Sequence, residues 1–453
     1  MGSSSSWPPA LTVDGGPLYQ QIVAALEAAA REGRLREGDR LPPQRTLAAT
    51  LGVDLTTVTR AYAEARRRGL IDAVTGRGSF IAPRPEPAGP ALDLSMNIPP
   101  APRGVRLGEL IARGVAEIAA RTDMDALMSY HPGAGASADR AAAAAWLRPA
   151  FGDNLDPDRI LIAAGAQSAM AAIAAHLAGP GGTIACEPLV YPGLLALAQA
   201  LRLTCAPVAA DGDGMRPDAL DALCRARRPG LIYLNPTIAN PTTVTMSAER
   251  RRALLEVAAR HDAPILEDDP YAPLARDAPP PLAAGRSAAR VWHVHTLSKS
   301  LTPGLRLAYV AAPSPDDRAR LTPALRALSL MPAPLSAALL ANWIRNGVAH
   351  DLLDGVRAEA LQRQALARAL LPGARAHPNG LHLWLPMPDG LDARRLAERA
   401  LSQGLAVTPA GAFSPGETKV NAVRVALGAV PERARLEEAL RRLAGLIETS
   451  PPR

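Results

Sequence analysis

Lysine is almost absent from this chain: of 50 Lys+Arg residues, only Lys299 and Lys419 are lysine. Arginine stays protonated, whereas a lysine amine can shed its proton and condense with a carbonyl when its surroundings lower its pKa. Lys299 lies in T-L-S-K-S-L-T-P-G-L-R, residues 296–306. It is therefore the first candidate for covalent imine chemistry. One lysine also has to fall somewhere, so the residues that accompany it must decide.

Glu267-Asp268-Asp269-Pro270-Tyr271 follows an apolar run. Asp268 can keep a heterocyclic nitrogen protonated, and Tyr271, three residues on, can bond a ring oxygen. Asn240-Pro241-Thr242 follows another apolar run, and Asn240 could bond the same oxygen. Gly165-Ala166-Gln167-Ser168 joins a strand-like run to an Ala-rich helical segment. The free amides at such a helix start, at Ala166 and Gln167, form a seat for phosphate. Thr296, Ser298 and Arg306 add hydroxyls and a guanidinium around the lysine. Each motif alone has an ordinary reading as a cap, a turn or a strand-to-helix junction. Together they match the needs of pyridoxal 5′-phosphate (PLP): an amine for the imine, a carboxylate for the ring nitrogen, a donor for the ring oxygen, and anion donors for the phosphate.

These residues need elements that bring them together. Apolar runs at Ile160–Ala163, Thr183–Cys186, Leu231–Leu234, Pro264–Glu267, Val291–His295 and Leu307–Ala311 alternate with helical segments. Runs apolar on both faces predict a mostly parallel α/β sheet. Past about residue 320 helices dominate, which predicts a smaller C-terminal α+β lobe. Residues 83–91, P-R-P-E-P-A-G-P-A, are too proline-rich for helix or sheet and read as an extended linker. The expected domains are 11–82, the linker 83–91, and 92–447, with a large lobe over about 130–320 and a small one over about 321–447.

The N-terminal unit reads as three helices and a hairpin. A first helix opens at Gly16-Pro17, with Leu18, Ile22, Leu26 and Ala30 on one stripe. A second, short helix follows Pro42-Pro43, with Leu47, Ala48 and Leu51 inward and Gly52 at its end. A third begins near Thr56, with Val58, Ala61, Tyr62 and Ala65 facing the core. Two short strands then flank Gly76-Arg77-Gly78. This is the pattern of a winged helix-turn-helix, in which the third helix enters the major groove. Thr56 and Thr57 can bond phosphate or base, and Arg60 can read guanine or phosphate. Arg45 would contact backbone, and Arg77 at the wing tip phosphate or the minor groove. Residues 1–82 hold ten Arg against eight Asp+Glu, a net of only +2, so placement rather than bulk charge argues for DNA. A protein-docking module is the bland alternative, and Arg66-Arg67-Arg68 also suits a helix carboxyl end.

P-L-Y-Q-Q-I, G-R-L-R-E-G-D-R-L-P-P-Q-R-T-L-A, T-T-V-T-R-A-Y and G-R-G-S-F-I closely resemble the GntR-type bacterial regulator domain over about residues 17–82. Leu55 stands where many members have arginine. The remaining motifs, in their order, resemble fold-type I aminotransferases of class I/II over roughly 92–447. That resemblance implies that Lys299 carries the cofactor as an imine and that Asp268, Tyr271 and Asn240 tune the ring. It implies that Tyr191, in E-P-L-V-Y-P, stacks on the ring, and that Gln167, Thr296, Ser298 and Arg306 bind phosphate. Tyr130, in M-S-Y-H-P-G, would reach the neighbouring subunit's phosphate, which implies a homodimer. Arg424, in V-R-V-A-L-G, would grip an effector carboxylate as a fork, where the plain alternative is a structural salt bridge. Thr243, Ala166 and Asn97 depart from the family pattern, standing where glycine, serine and glycine are common.

A winged-helix head on an aminotransferase-like body is the architecture of the MocR subfamily of GntR regulators, and the chain resembles a full-length member. The resemblance implies a PLP-dependent transcription regulator that binds operator DNA and responds to an amino acid, an amine or PLP. The rival reading is a working aminotransferase carrying a DNA-binding head. Composition agrees with a globular chain: 453 residues, 48% apolar, net charge +7. Cys186, Cys205 and Cys224 lack metal-ligand spacing and read as idle thiols in a reducing compartment. The start, M-G-S-S-S-S-W-P-P, lacks a signal-peptide pattern, and a cytoplasmic location with no membrane partner is expected. His293 and His295 alternate on a strand and read as core or lining rather than metal ligands.

Overall fold

The computed structural model describes residues 11, 16–74, 78–82, 92–131, 133–285 and 287–449. Arg77 and the stretch 83–91 lie outside the described residues. The chain forms two compact units, Met1–Gly89 and Pro90–Arg453.

In the first unit, helices Leu18–Arg31, Gln44–Leu51 and Leu55–Arg67 precede an antiparallel pair, Ile71–Val74 with Gly78–Ile81. Arg40 bridges to Phe80, an extra rung that the sequence reading did not contain. Ile22, Val23, Leu26 and Ala29 fill the core with Leu47, Val58, Ala61, Tyr62 and Ala65. Leu18 does not belong to that stripe: it is 40% exposed, because it overhangs the first turn, and Ala29 rather than Ala30 is buried. The third helix starts at Leu55, one residue before Thr56, after an extended Asp54. Gly52 closes the second helix in the left-handed region, at φ 65°. The Tyr62 hydroxyl donates to the Pro42 carbonyl at 2.8 Å, which fixes the third helix against the start of the second. Arg67 and Arg68 both pair with Glu64, and Arg68 also reaches Glu27 at 3.0 Å.

The second unit is built on a seven-stranded sheet. Its order is 160–163, 308–311, 291–296, 265–268, 231–234, 183–186, 204–207. The strand Ala308–Ala311 runs antiparallel to both neighbours, and the other six share one direction. Strand Thr204–Pro207, T-C-A-P, is too short and too exposed to stand out as an apolar run, and among the described residues it pairs with Thr183–Cys186 alone.

Helix Pro315–Ser329 packs on Ala166–Ala178, and Pro334–Arg345 packs on Ser137–Phe151 and Leu107–Ala119. These helices therefore belong with the large sheet, and a lobe boundary at about 320 falls too early. A 23-residue helix, Val348–Leu370, runs from one core to the other: Ala360 packs with the large-sheet cluster and Ala367 with the small-lobe cluster. The small lobe has a four-stranded antiparallel sheet in the order 375–376, 382–386, 422–426, 408–409. The lobe also takes in the start of the unit. Leu92–Asp93 pairs with Leu405–Ala406, and Leu92 and Leu94 are buried in the small-lobe core. Gly428 is required where this segment passes, since a Cβ there would lie 1.7 Å from the Ile98 carbonyl oxygen.

Arg363 is a charge enclosed in protein. It pairs with Glu359 at 2.8 Å and donates to the carbonyls of Leu427, Val430 and Pro431 at 2.6–2.7 Å. It thereby ties the long helix to the end of strand Ala422–Ala426. Losing Arg363 would strand these carbonyl acceptors, while Glu359 keeps a second cation, Arg433, at 2.6 Å. Arg363→Met is expected to destabilise this unit by roughly 1–3 kcal/mol, read as a lowered denaturant midpoint at unchanged slope.

Candidate cofactor site and DNA-facing surface

In an open α/β sheet, ligands collect beyond the carboxyl ends of the strands. A cavity of about 440 Å³ opens there. Five strand ends feed it. Residues Ala166 and Gln167 follow strand 160–163, Tyr191 follows 183–186, and Asn235 and Asn240 follow 231–234. Asp268 ends its strand with Tyr271 beyond, and Thr296, Ser298 and Lys299 end 291–296. Arg306 arrives by a different route. It precedes the one reversed strand, whose beginning lies at this same edge. Residues remote in sequence thus converge because of strand direction alone.

Lys299 Nζ donates to the Asn97 carbonyl oxygen at 2.5 Å. Burial first, then the Arg424 and Arg306 charges, pull the amine down to about 8, against the pull of Asp268. About a tenth of the amine is therefore neutral near pH 7. Burial raises the Asp268 carboxyl to about 6, and a hydrogen bond from the Tyr233 hydroxyl at 2.7 Å holds it from rising further. It remains mostly ionised at neutral pH. Asn235 Nδ2 donates to the Asp268 carbonyl, and the Asn240 N–H donates to Asn235 Oδ1, each at 2.7 Å. Neither Tyr233 nor Asn235 was singled out in the sequence. The second had a readable signal: L-N-P-T-I-A-N-P-T contains two Asn-Pro pairs, and the earlier one follows the strand directly.

Asn97 Nδ2 donates to the Tyr271 hydroxyl at 2.7 Å and meets His382 Nδ1 at 2.9 Å, while its Oδ1 is buried without a partner. Burial holds His382 neutral, with a pKa near 3, and its other nitrogen faces the Ala239 carbonyl. Burial likewise keeps the Tyr271 phenol protonated. The Asn240 Oδ1 accepts from Arg424 Nη1 at 2.9 Å. Arg424 also donates to the Ser95 carbonyl and lies 5.0 Å over the Phe413 ring. No carboxylate pairs with it among the described residues, and its Nε is buried without a partner. The salt-bridge alternative for Arg424 therefore has no structural support. Thr243, in the position where glycine is common, adopts φ 64°, and its N–H closes the turn onto the Ala239 carbonyl at 2.7 Å. That backbone requirement is the reason glycine suits the position.

The opposite end of the cavity carries anion-binding groups. Helix Ala166–Ala178 begins after Gly165 with no side chain capping its amides. Gly165 sits at φ 91°, and a Cβ on it would come 3.0 Å from Arg306 Nη2. Only glycine lets the guanidinium lie against that helix start. Thr296 Oγ1 and Ser298 Oγ are 3.1 Å apart, and Gln167 Oε1 is buried without a partner. Uncapped amides, two hydroxyls and a guanidinium, opposite a softened lysine and a buried carboxylate, fit PLP in polarity at each end. Tyr130 is not part of this cavity: it is 80% exposed, near Met128 at 57%. Met96, at the cavity, is also 55% exposed.

On the first unit, Arg45, Thr56 and Arg60 are exposed and Thr57 is half-buried. The Arg60 guanidinium stacks 4.0 Å over the Tyr19 ring, so its position is set by the first helix. Thr59 Oγ1 donates to Gln44 Oε1 at 2.8 Å across the helix-turn-helix. Gln44 and Thr59 join the same face, and the sequence reading had passed over them.

Comparison with known proteins follows the two units. Residues 18–81 match the model of bacterial regulatory proteins of the gntR family, and residues 90–443 match aminotransferase class I and II. Among curated relatives, the HTH-type transcriptional regulator YdeF of Bacillus subtilis is 30% identical over 98% of this chain and 97% of its own length. TauR, an HTH-type transcriptional regulator of Rhodobacter capsulatus, is 30% identical over 94% of this chain and 97% of its own. The probable rhizopine catabolism regulatory protein MocR of Rhizobium meliloti is 28% identical, covering 78% and 77%. Among solved structures, the α-aminoadipate aminotransferase LysN of Thermus thermophilus, complexed with N-(5′-phosphopyridoxyl)-L-leucine, superposes with a TM-score of 0.69 at 26% identity over 79% of this chain and 92% of that one. Kynurenine aminotransferase of Pyrococcus horikoshii gives 0.72 at 24% identity, over 80% and 91%. Both units and their order are thus shared with HTH-type regulators, and the chain belongs to the class I and II aminotransferase family through its body and, with its gntR-family head, to the MocR subfamily of transcription regulators.

Proposed function

We propose that this regulator holds PLP at the Lys299 cavity, and that an amino acid or amine entering the cavity changes how the heads of a homodimer engage operator DNA. When bound, the cofactor supplies an aldehyde that condenses with primary amines and a ring that withdraws electrons from them. The observation that carries the reading is the pairing of a buried, partly neutral Lys299 with the ionised Asp268 carboxylate in one cavity.

Lys299 would be the attachment point. Asp268, fixed by Tyr233 and Asn235, would keep a proton on the ring nitrogen. Tyr271 and Asn240 would bond the ring oxygen, and Tyr191 would cover a face of the ring. The amides of Ala166 and Gln167, with Thr296, Ser298 and Arg306, would take the phosphate. Arg424, which no carboxylate pairs with among the described residues, would take an effector carboxylate in exchange for the Ser95 carbonyl. Tyr130 would serve the cavity of a second copy, which fits its exposure on this chain. On the head, Arg45, Thr56, Thr57, Arg60 and Arg77 would face DNA, in the manner of a third helix in the major groove. A ligand shifts such a system only by its differential affinity for the two arrangements. Release of keto acid over many turnovers would favour the working enzyme instead.

The purified protein incubated with PLP is expected to absorb in the visible, and borohydride reduction should add cofactor mass on Lys299 alone. A Lys299→Ala protein that gains the same colour and mass would defeat the assignment. The rate of attachment should rise with pH and level off above an inflection near 8, because only the neutral amine reacts. Arg424→Ala removes a cation that lowers this value and should move the inflection up; Asp268→Asn removes an anion that raises it and should move it down. Asp268→Asn should also weaken PLP binding by roughly 10- to 100-fold, as for loss of a charge-assisted hydrogen bond. In gel shifts on DNA upstream of its own gene, Arg60→Ala should weaken binding about tenfold or more, and unchanged affinity would remove Arg60 from the interface.

A further inference from the structure

A second cavity, of about 340 Å³, lies beside the same strand ends. Trp146, Leu147, Leu353 and the prolines 279–281 give it an apolar wall, with Asp269, His293 and His295 among its polar lining. Its size is within the range of small-molecule sites. The two cavities share one short segment. Asp268, Pro270 and Tyr271 line the Lys299 cavity, whereas Asp269 and Ala272 line the second.

Most polar groups of the second cavity are already partnered. The Trp146 indole N–H donates to His295 Nε2 at 3.0 Å, so the indole offers a ligand only apolar surface. Burial keeps His295 neutral, near 4. Asp269 accepts from the Ala272 N–H at 3.2 Å and faces His293 Nε2 at 3.4 Å. His293 is the exception. It is 1% exposed and its Nδ1 has no partner. Burial opposes its charge, but Asp269 and Glu267 outweigh that and raise it. Its Nδ1 is therefore a buried polar atom in want of a partner, and the upward shift favours a proton there. At the rim, Arg276 and Arg357 share a single carboxylate, Asp354, each at 2.7 Å.

We propose that this cavity is a second ligand site, for a small aromatic carboxylic acid, and that its occupancy changes the affinity of the Lys299 cavity. The ring would lie against Trp146 and the prolines, the carboxylate would meet the rim arginines, and a neutral acceptor on the ring would take the His293 donor. Coupling has a physical route. The Asp269 N–H bonds the Val294 carbonyl at 2.9 Å, and its carboxylate bonds the Ala272 amide. A ligand that redraws the Asp269–His293 pair therefore pulls on the turn that carries Asp268 and Tyr271. Such coupling is reciprocal.

The probe is 4-hydroxyphenylacetate, titrated calorimetrically into the full-length protein without PLP. One molecule per chain should bind, Lys299→Ala should bind it equally, and Arg276→Ala should bind it about tenfold more weakly. Ala278→Trp, which fills the cavity, should abolish binding at an unchanged thermal midpoint. Phenylacetate, lacking the ring acceptor, and tyramine, lacking the carboxylate, should each bind more weakly. Saturating probe should change PLP affinity by about fivefold or more. No binding, binding untouched by both Arg276→Ala and Ala278→Trp, or tyramine binding as tightly would overturn the site. An unchanged PLP affinity would overturn the coupling. The site is read without PLP, so failure of the cofactor assignment would not produce the binding results; the coupling rests on that assignment, whose failure shows instead as no PLP colour with or without the probe.

Discussion

Desolvation of one amine is the constraint around which the body is arranged. A lysine in water holds its proton at neutral pH and cannot attack a carbonyl. Lys299 is removed from water and set near two guanidiniums, which favours its neutral form, while Asp268 limits how far the shift goes. The same burial would neutralise Asp268, were its carboxylate not bonded by Tyr233. Each group is thus kept in a usable protonation state by the other's surroundings, and neither can be altered without moving the second.

That balance needs groups from distant parts of the chain. Five co-directional strands deliver most of them, and the reversed strand 308–311 brings Arg306 to the same edge. The small lobe supplies Arg424 and His382 from adjacent strands, in register where Trp384 faces Arg424. The chain's return to this lobe at residues 92–94 then places Ser95 and Asn97 against both Arg424 and Lys299.

Much of this was legible in the sequence. Imine chemistry requires lysine, and a chain with two lysines shows where it is. The helix stripe at 58, 61, 62 and 65 and the apolar runs of the large sheet are local patterns, and local patterns survive in one dimension. What failed to show was tertiary. Leu18 fits the helical stripe, but only packing decides that it overhangs the end. Nothing in the sequence near residue 92 reveals its partner at 405. Tyr233 looks like one more apolar strand residue until its hydroxyl meets Asp268. The motif suggests a ring-oxygen role for Asn240 but gives no sign that its side-chain oxygen also holds Arg424. Motifs identify which residues matter more reliably than they identify what each one touches.

The connection between cavity and head follows from chain order. The segment that leaves the N-terminal unit re-enters the described structure at Leu92, pairs with Leu405–Ala406, and within five residues of Leu92 lies at the cavity, where the Asn97 carbonyl accepts from Lys299. Any ligand that takes the lysine amine breaks that bond, and any ligand that reaches Arg424 competes with the Ser95 carbonyl. Both losses fall on residues 95–97. Asn97 is further tied through its side chain to Tyr271 and His382, so this segment has several partners to exchange rather than one. Under the proposed function, a change of partners at residues 95–97 is the event that would carry chemistry at one amine to residue 92, where this segment pairs with Leu405–Ala406. Such an event has a defined energy in each state, which is what a regulatory coupling requires.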